Sequence, residues 1–251
     1  MKDEVRRAKV KEFCNKYNIY FLALVTALFL LNGISYEVTA ALPLTNHHLY
    51  MEIDKHIPFI PEFCFFYSSY YVSPFIFLYG LSFYDKKKLS SIFFDGAIGT
   101  ILCLIVYLIY NVQMLREPYE AIVAPYRFFT GSVHNPHEFF LALTNFQYAV
   151  DPFARNGIPS LHAFFGGLVS LCGIYMSKGE KRVPIAFRII AALFGLGVAC
   201  STFFIKQHYF IDAVIGYGMA FILYYVGKLV VNVLLKKYPN NKLFAYFTAE
   251  K

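Results

Sequence analysis

The chain has 251 residues, of which 58% are hydrophobic and only 16% carry a charge. So few charged side chains cannot solvate the surface of a water-soluble domain, which excludes an ordinary soluble protein. The formal net charge of +7 would suit a nucleic-acid binder, but the basic residues form short clusters between apolar blocks, where they indicate membrane topology instead. We therefore expect an integral membrane protein with no nucleic-acid partner.

Apolar blocks of about 20 residues, the length that crosses a bilayer as a helix, recur along the chain. They predict an all-α fold, a six-helix bundle forming one membrane-embedded domain over residues 1–251 with a basic tail at about 1–17. The first block follows basic residues as a signal peptide would, but no small-residue cleavage site follows, so we expect a retained helix. The predicted spans are roughly residues 18–35, 63–82, 91–112, 158–177, 184–204 and 210–235.

Lysine and arginine clusters mark one side of the membrane. They precede the first span and follow the second, fourth and sixth spans. Because basic loops stay in the cytoplasm, we expect both termini to be cytoplasmic. The opposite face receives three segments, at about residues 36–62, 113–157 and 205–209. A cation there is either an ordinary interfacial residue or a phosphate ligand. Those cations are Lys55, Arg116, Arg127, Arg155 and Lys206.

The two longer outer segments are predicted to form interfacial helices or a cap on the membrane surface. Residues 36–62 mix prolines with apolar residues, as in a broken interfacial helix. The histidines His47, His48 and His56 raise the alternative of a metal site, but no carboxylate and histidine have a convincing ligand spacing. Residues 113–157 are rich in Phe and Tyr, which favours a packed cap over a free linker.

The most informative stretch lies at the start of the sixth span, where His208 and Asp212 are four residues apart. On a helix this spacing places the carboxylate one turn from the imidazole, where it can accept a ring N–H and leave the other nitrogen free to attack. Mutual capping is the structural alternative. Ionisable side chains at membrane depth are functional candidates by default, so we interpret His208 as a nucleophile oriented by Asp212.

A second stretch lies at the start of the fourth span, on the same face as the first. Pro159 and Ser160 are typical of a helix start, where exposed backbone N–H groups attract an anion, and Arg155 precedes them. His162, in the first turn, can donate a proton to a leaving-group oxygen. A helix cap with an incidental histidine is the alternative.

A third stretch begins at Arg116, just outside the third span. Its guanidinium suits phosphate oxygens, although alone it is more typical of an ordinary interfacial arginine. The three stretches together are stronger evidence than any one of them alone, because all three fall at outer ends of spans and together supply a nucleophile, an acid and cations. The loops contain no P-loop and no DxD pair, and the five cysteines lack metal-ligand spacing, so we expect no cofactor.

At these residues the chain resembles the membrane phosphatidic acid phosphatase type 2 superfamily, whose three motifs occur in this order in a six-helix bundle. The Pro-Ser-Gly-His motif is matched by residues 159–162, with Leu161 in place of Gly. The His and Asp of the third motif are matched by His208 and Asp212. The Arg-Pro of the first motif is only approximated by residues 116–118.

Two positions depart from the family pattern. Thr202 stands where the third motif usually has a phosphate-binding Arg, for which Lys206 or Arg155 can substitute, and Ile109 stands where the first motif has Lys. The Pro-Ser-Leu-His-Ala and Gln-His-Tyr stretches are similar to the branch that contains inositol phosphorylceramide synthases.

The resemblance implies a lipid phosphate phosphatase acting through a phosphohistidine, on a substrate that is a membrane lipid phosphate or pyrophosphate. The branch implies, as an alternative, a phosphotransferase that moves a phosphoryl head group to an alcohol or lipid acceptor. A non-catalytic lipid binder or transporter is the third possibility. The site is expected on the periplasmic, extracellular or lumenal face. The implied catalytic residues are His208, His162 and Asp212, with phosphate ligands Arg116, Arg155, Ser160 and Lys206.

Overall fold

The computed structural model describes residues 16–73, 75–79, 86–115, 135–175 and 184–241. Within these ranges the chain is mostly helical, as the sequence predicts. The elements in chain order are α1 (Lys16–Ala41), β1 (Asn46–His47), α2 (Glu52–His56), a 3-10 helix (Pro61–Phe63), α3 (Cys64–Ser69), a π-helical turn (Phe75–Tyr79), α4 (Lys86–Ile109), β2 (Asn111–Val112), α5 (Pro136–Val150), α6 (Leu161–Tyr175), α7 (Ile185–Phe204) and α8 (Phe210–Lys237).

Four helices in the described part of the chain are long and apolar enough to cross a membrane. They lie in α1, α4, α7 and α8, as Ile19–Ala41, Ser90–Ile109, Ile185–Phe204 and Phe210–Lys237. This is consistent with a multi-pass integral membrane protein. The expected number of six spans is not confirmed by these four.

The other two predicted spans do not form long α-helices within the described residues. The span predicted at 63–82 is broken, because α3 has only six residues and the next helical element is the short π-helical turn. The span predicted at 158–177 contains α6, whose 15 residues extend about 22 Å, less than a ~30 Å hydrocarbon core. Hydropathy reports apolar length, and it does not report such breaks in the backbone.

The helix α6 lies at the centre of the bundle. Residues 161–173 are all buried, and α6 packs against α7, α8 and α4. A helix that is apolar on every side is expected to be enclosed by other helices. The site residues at its N-terminus are therefore carried by the most enclosed helix of the described structure.

The start of α6 approaches α8 closely at Gly216. A Cβ atom built at Gly216 would lie 2.3 Å from the carbonyl oxygen of Ser160, so only glycine leaves room for this contact. The backbone N–H of Ser160 also donates to the carbonyl oxygen of Asp212 at 3.1 Å. These contacts fix the two histidine-bearing motifs relative to one another.

Candidate active site

The site is built where β2, the segment before α6 and the start of α8 meet. The Gly157 N–H donates to the Val112 carbonyl at 2.9 Å, and the Tyr107 hydroxyl donates to the Pro159 carbonyl at 2.6 Å. The short parallel ladder pairs Asn46 with Asn111, which ties the segment after α1 to the end of α4. The loop that precedes α6 is therefore held by backbone contacts from several elements.

Asn156 is a buried anchor of this loop. Its backbone adopts a φ of 59°, in the left-handed region that Asn tolerates better than most residues. Its amide nitrogen donates to the Tyr36 carbonyl at 2.9 Å, and its amide oxygen accepts from Asn111 at 2.9 Å. Asn156 thus links α1 and β2 to the loop that precedes α6.

His208 is buried and oriented by a backbone carbonyl. Its Nδ1 lies 3.0 Å from the Gly157 oxygen. A carbonyl oxygen only accepts hydrogen bonds, so Nδ1 carries the proton in this arrangement. In the neutral ring Nε2 then keeps its lone pair. This is the tautomer that an attacking histidine requires.

The contact between His208 and Asp212 is longer than a hydrogen bond. His208 Nδ1 lies 3.8 Å from Asp212 Oδ2. That oxygen instead accepts the backbone N–H of Tyr209 at 3.1 Å, which closes the first turn of α8. The direct hydrogen bond expected from the spacing is replaced by the Gly157 carbonyl, because this carboxylate oxygen already caps the helix. Asp212 remains a fully buried carboxyl group one turn from the ring.

His162 lies between aromatic rings. Its ring stacks on Tyr67 with centroids 4.2 Å apart and planes 19° apart, and the Tyr70 centroid is also at 4.2 Å. Neither ring nitrogen of His162 has a hydrogen-bond partner within the described structure. Stacking on the two tyrosine rings therefore positions the His162 ring.

The two histidine rings lie near one another. Their centroids lie 6.0 Å apart. An attack distance of about 3–3.5 Å to phosphorus, the P–O bond itself and a hydrogen bond of about 2.6–3.2 Å to the departing oxygen give about 7–8 Å between two nitrogen atoms. The centroid separation is shorter than this sum, so nitrogens on the far edges of the two rings are the ones that could span one reacting centre.

Ser160 is the N-cap of α6. Its hydroxyl oxygen accepts the Ala163 N–H at 3.3 Å, and the side chain is fully buried. Ser160 therefore has the helix-capping role that was the structural alternative to a functional one. It also fixes the first turn of α6, where backbone N–H groups favour an anion.

The predicted cations are dispersed. Lys206 donates to the carbonyls of Ile57 and Asp54 at 2.5 and 3.2 Å and lines the same cavity as His208. Arg155 is directed elsewhere, because its Nη1 donates to the carbonyls of Leu42 and Ala40 at 2.8 and 3.0 Å, at the end of α1. Arg116 lies outside the described residues, as does Arg127.

Two cavities adjoin the histidine pair. The larger, which we call the His208 cavity, has about 370 Å³ and is lined by His208, Lys206, Lys55 and Tyr209 among others. Burial raises the pKa of Tyr209 above its ordinary value, so at neutral pH its hydroxyl is a neutral group of the wall. The smaller, the His162 cavity, has about 80 Å³, and none of the described residues that line it also lines the first.

The histidines of the first outer segment make local contacts. His47 stacks on Tyr110 at 4.1 Å, His48 Nδ1 donates to the Gln113 carbonyl, and His56 Nδ1 donates to the Glu52 carbonyl. In the part of the chain that the structure describes, no group of three metal-ligating side chains comes together.

Three contributors were not foreseen from the sequence. The Gly157 carbonyl has no side-chain signature, although the Asn156-Gly157 pair is typical of a turn. Tyr67 and Tyr70 lie three residues apart, which places them on one helical face. That spacing is the sequence signal that the two rings act together. Their contact with His162 is a long-range one that local spacing does not encode.

The apolar helices, four of them long enough to cross a membrane, are consistent with a multi-pass integral membrane protein, and two buried histidines lie near one another at one end of the bundle. The PAP2 superfamily model matches residues 36–226, so the chain belongs to the PAP2 superfamily. No curated protein and no solved structure matches the chain. Superfamily membership suggests phosphatase-type activity on a phosphate-bearing substrate. The family match confirms the resemblance at the level of the superfamily. The inositol phosphorylceramide synthase branch is not confirmed.

Proposed function

We propose that the protein is a lipid phosphate phosphatase in which His208 forms a phosphohistidine. The observation that supports this most is the hydrogen bond from His208 Nδ1 to the Gly157 carbonyl, which leaves Nε2 unprotonated. The centroids of the His208 and His162 rings are 6.0 Å apart. Asp212 stabilises the ring as positive charge develops on it. The substrate is a membrane lipid phosphate or pyrophosphate.

The reaction has two steps. In the first, His208 Nε2 forms a bond to phosphorus, the ester P–O bond breaks, and protonated His162 gives its proton to the departing oxygen. In the second, neutral His162 takes a proton from water, the water oxygen bonds to phosphorus, and the N–P bond breaks. A lipid phosphate gives inorganic phosphate and a lipid alcohol. In a lipid pyrophosphate the bond that breaks in the first step is the anhydride P–O bond, and the products are inorganic phosphate and the lipid monophosphate.

The equatorial phosphate oxygens need positive charge and N–H donors. We assign these to Lys206, to backbone N–H groups in the first turn of α6 positioned by Ser160, and to Arg116. For Arg155 we propose a structural role, because its guanidinium lies on the carbonyls at the end of α1. By the distribution of basic loops, the site faces the periplasm, exterior or a lumen, and both termini face the cytoplasm.

A phosphotransferase is the second candidate. The separate His162 cavity offers a place for an alcohol or lipid acceptor, which would replace water in the second step. Mass-resolved products separate the two reactions, because hydrolysis yields free phosphate whereas transfer yields a new phospholipid. A non-catalytic lipid binder or transporter would keep its function when His208 is replaced.

The test is an assay of the protein purified in detergent with a panel of lipid phosphates. We expect His208→Ala and His162→Ala to lower kcat by about 10³-fold or more and about 10²-fold or more, respectively. His137→Ala is the matched control, since His137 is an exposed partner of Glu62. Vanadate should inhibit, and labelled phosphate should be trapped on His208. Full activity of His208→Ala would rule out this mechanism.

A further inference from the structure

The His208 cavity contains a second lysine, to which the proposed mechanism assigns no role. Lys55 lies on the short helix α2 and lines the cavity together with Lys206 and His208. No other lysine or arginine occurs among the described residues of this lining. An anion in the His208 cavity therefore meets two cations, which come from two different segments of the chain.

The amino group of Lys206 is largely committed to the backbone. Its Nζ atom donates to the carbonyl of Ile57 at 2.5 Å and to that of Asp54 at 3.2 Å. A lysine ammonium group has three N–H donors, so most of those of Lys206 are directed to the end of α2. Lys206 brings positive charge to the cavity, but a bound phosphate needs further donors.

Lys55, by contrast, is paired with an exposed carboxylate. Its Nζ atom lies 2.6 Å from Glu52 Oε2, and the two side chains are 54% and 72% exposed. An ion pair between exposed side chains contributes little free energy, because water screens the attraction and both chains lose rotational freedom. A more highly charged anion can therefore take the ammonium group of Lys55 from Glu52 at little cost.

Asp54 positions α2 beside the site. Its carboxylate is buried, and its two oxygens accept the backbone N–H groups of Met51 and Phe210, each at 2.8 Å. Met51 is the N-cap of α2, and Phe210 is the first residue of α8. The carboxylate of Asp54 thus ties the helix that carries Lys55 to the helix start next to His208.

The charge of the substrate calls for a second cation. A phosphate monoester carries close to two negative charges at neutral pH. Thr202 and Ile109 stand where the family pattern has cations, and the guanidinium of Arg155 is bound to the end of α1. Among the described residues, Lys55 is thus the cation of the cavity wall that can turn to the phosphate without leaving a buried partner.

We infer that Lys55 is a phosphate-binding residue of this site, and that it exchanges Glu52 for the phosphate when substrate enters the His208 cavity. The inference rests on the proposed function, because that function places the phosphate beside His208. It gives α2, which lies outside the three motifs, the role of a cation that the motifs lack in this chain.

Inorganic phosphate is the probe that tests the inference without turnover. The purified full-length protein is titrated in detergent at mildly alkaline pH, where phosphate is a dianion, and binding is followed by calorimetry. We expect Lys55→Gln to raise the Kd of phosphate about tenfold or more, and Lys55→Arg, which keeps the charge, to stay within about threefold of wild type. An unchanged Kd in Lys55→Gln would overturn the inference.

Glu52→Gln separates phosphate binding from a structural role of the ion pair. Because this substitution removes the competing carboxylate, the Kd of phosphate should stay at the wild-type value or fall. Equal increases in Glu52→Gln and Lys55→Gln would show that the ion pair matters only by stabilising α2, and they would overturn the inference.

The matched control is Lys237→Gln, which removes the same charge in the last turn of α8. The 28 residues of α8 place it about 40 Å from the start of that helix, well beyond the range of screened charge interactions. Its Kd for phosphate should equal that of the wild type. A rise as large as that in Lys55→Gln would indicate a general charge effect and would also overturn the inference.

Turnover and a second background keep the two proposals apart. With a lipid phosphate, Lys55→Gln should raise KM about tenfold while kcat stays within about threefold. Adding Lys55→Gln to His208→Ala should still raise the Kd of inorganic phosphate about tenfold, because this binding needs no covalent bond. Full activity of His208→Ala would defeat the catalytic proposal, whereas the titrations alone decide the role of Lys55.

Discussion

The Nδ1 atom of His208 lies 3.0 Å from the carbonyl oxygen of Gly157, while the carboxylate of Asp212 lies at 3.8 Å. The backbone before α6 therefore sets the tautomer of the proposed nucleophile. Any substitution that displaces this carbonyl should alter reactivity even though it removes no reactive side chain.

We expect Gly157→Ala to lower kcat for phosphate release by about tenfold or more. The added Cβ would lie 2.9 Å from Val112 Cγ1 and 3.2 Å from Asp212 Oδ2, so the loop must shift and the carbonyl must move from His208. The control is Gly218→Ala, where no atom lies within 4 Å of the added Cβ. Wild-type kcat in a folded Gly157→Ala protein would contradict this role of the carbonyl.

Tyr67 should matter through its ring rather than its hydroxyl. We expect Tyr67→Leu to lower kcat by about tenfold, because the stacked ring that positions His162 at 4.2 Å is lost. Tyr67→Phe keeps the ring and should stay within about threefold of wild type. Equal losses in the two variants would show that stacking does not position His162. The measurement is steady-state kcat in detergent.

Asp54 should be a stability residue. It is buried, and its two carboxylate oxygens accept the backbone N–H groups of Met51 and Phe210, each at 2.8 Å. Asp54→Ala leaves both donors unpaired, so we expect the free energy of unfolding to fall by about 2 kcal/mol or more. Glu52→Ala, at a side chain 72% exposed, should change it by less than about 1 kcal/mol. Unfolding followed by circular dichroism in detergent measures both, and equal losses would contradict the assignment.

A structural role and a phosphate-binding role of Arg155 predict different effects of its substitution. Arg155→Met removes hydrogen bonds to the carbonyls of Ala40 and Leu42, so we expect a loss of about 1–3 kcal/mol in stability and a change in KM below about threefold. A phosphate ligand would give the opposite result, a KM raised about tenfold or more with unchanged stability. Thermal unfolding and KM measured on the same preparation decide between them.

Helix positions were the part of the fold that the sequence encoded best. The spans predicted at 184–204 and 210–235 coincide closely with α7 (Ile185–Phe204) and α8 (Phe210–Lys237), because long apolar blocks there end at prolines, turns or basic residues. The span predicted at 63–82 is not confirmed, since α3 ends at Ser69 and the described residues continue as turns and a short π-helical turn. Apolar content is the same for a continuous helix and for a broken one.

The sequence predicted the helix starts that carry His162 and His208, and it did not predict the backbone contacts around them. The positions of His162 and His208 at neighbouring helix starts follow from their place at the outer ends of two spans. The partner of Arg155 did not follow, because the carbonyls it binds are 113 and 115 residues away in the chain. Contacts of this kind depend on tertiary packing, which local motifs do not specify.

Among the described residues, the His208 cavity and the His162 cavity share no lining residue, and under the proposed function this separation has an evolutionary consequence. Substitutions around His162 can change which alcohol is released or accepted without touching the residues that surround the phosphate. A hydrolase with this arrangement can become a transferase, or change its lipid, through a few changes in α1, α3 and α5, while its nucleophile and its helix scaffold stay under unchanged selection.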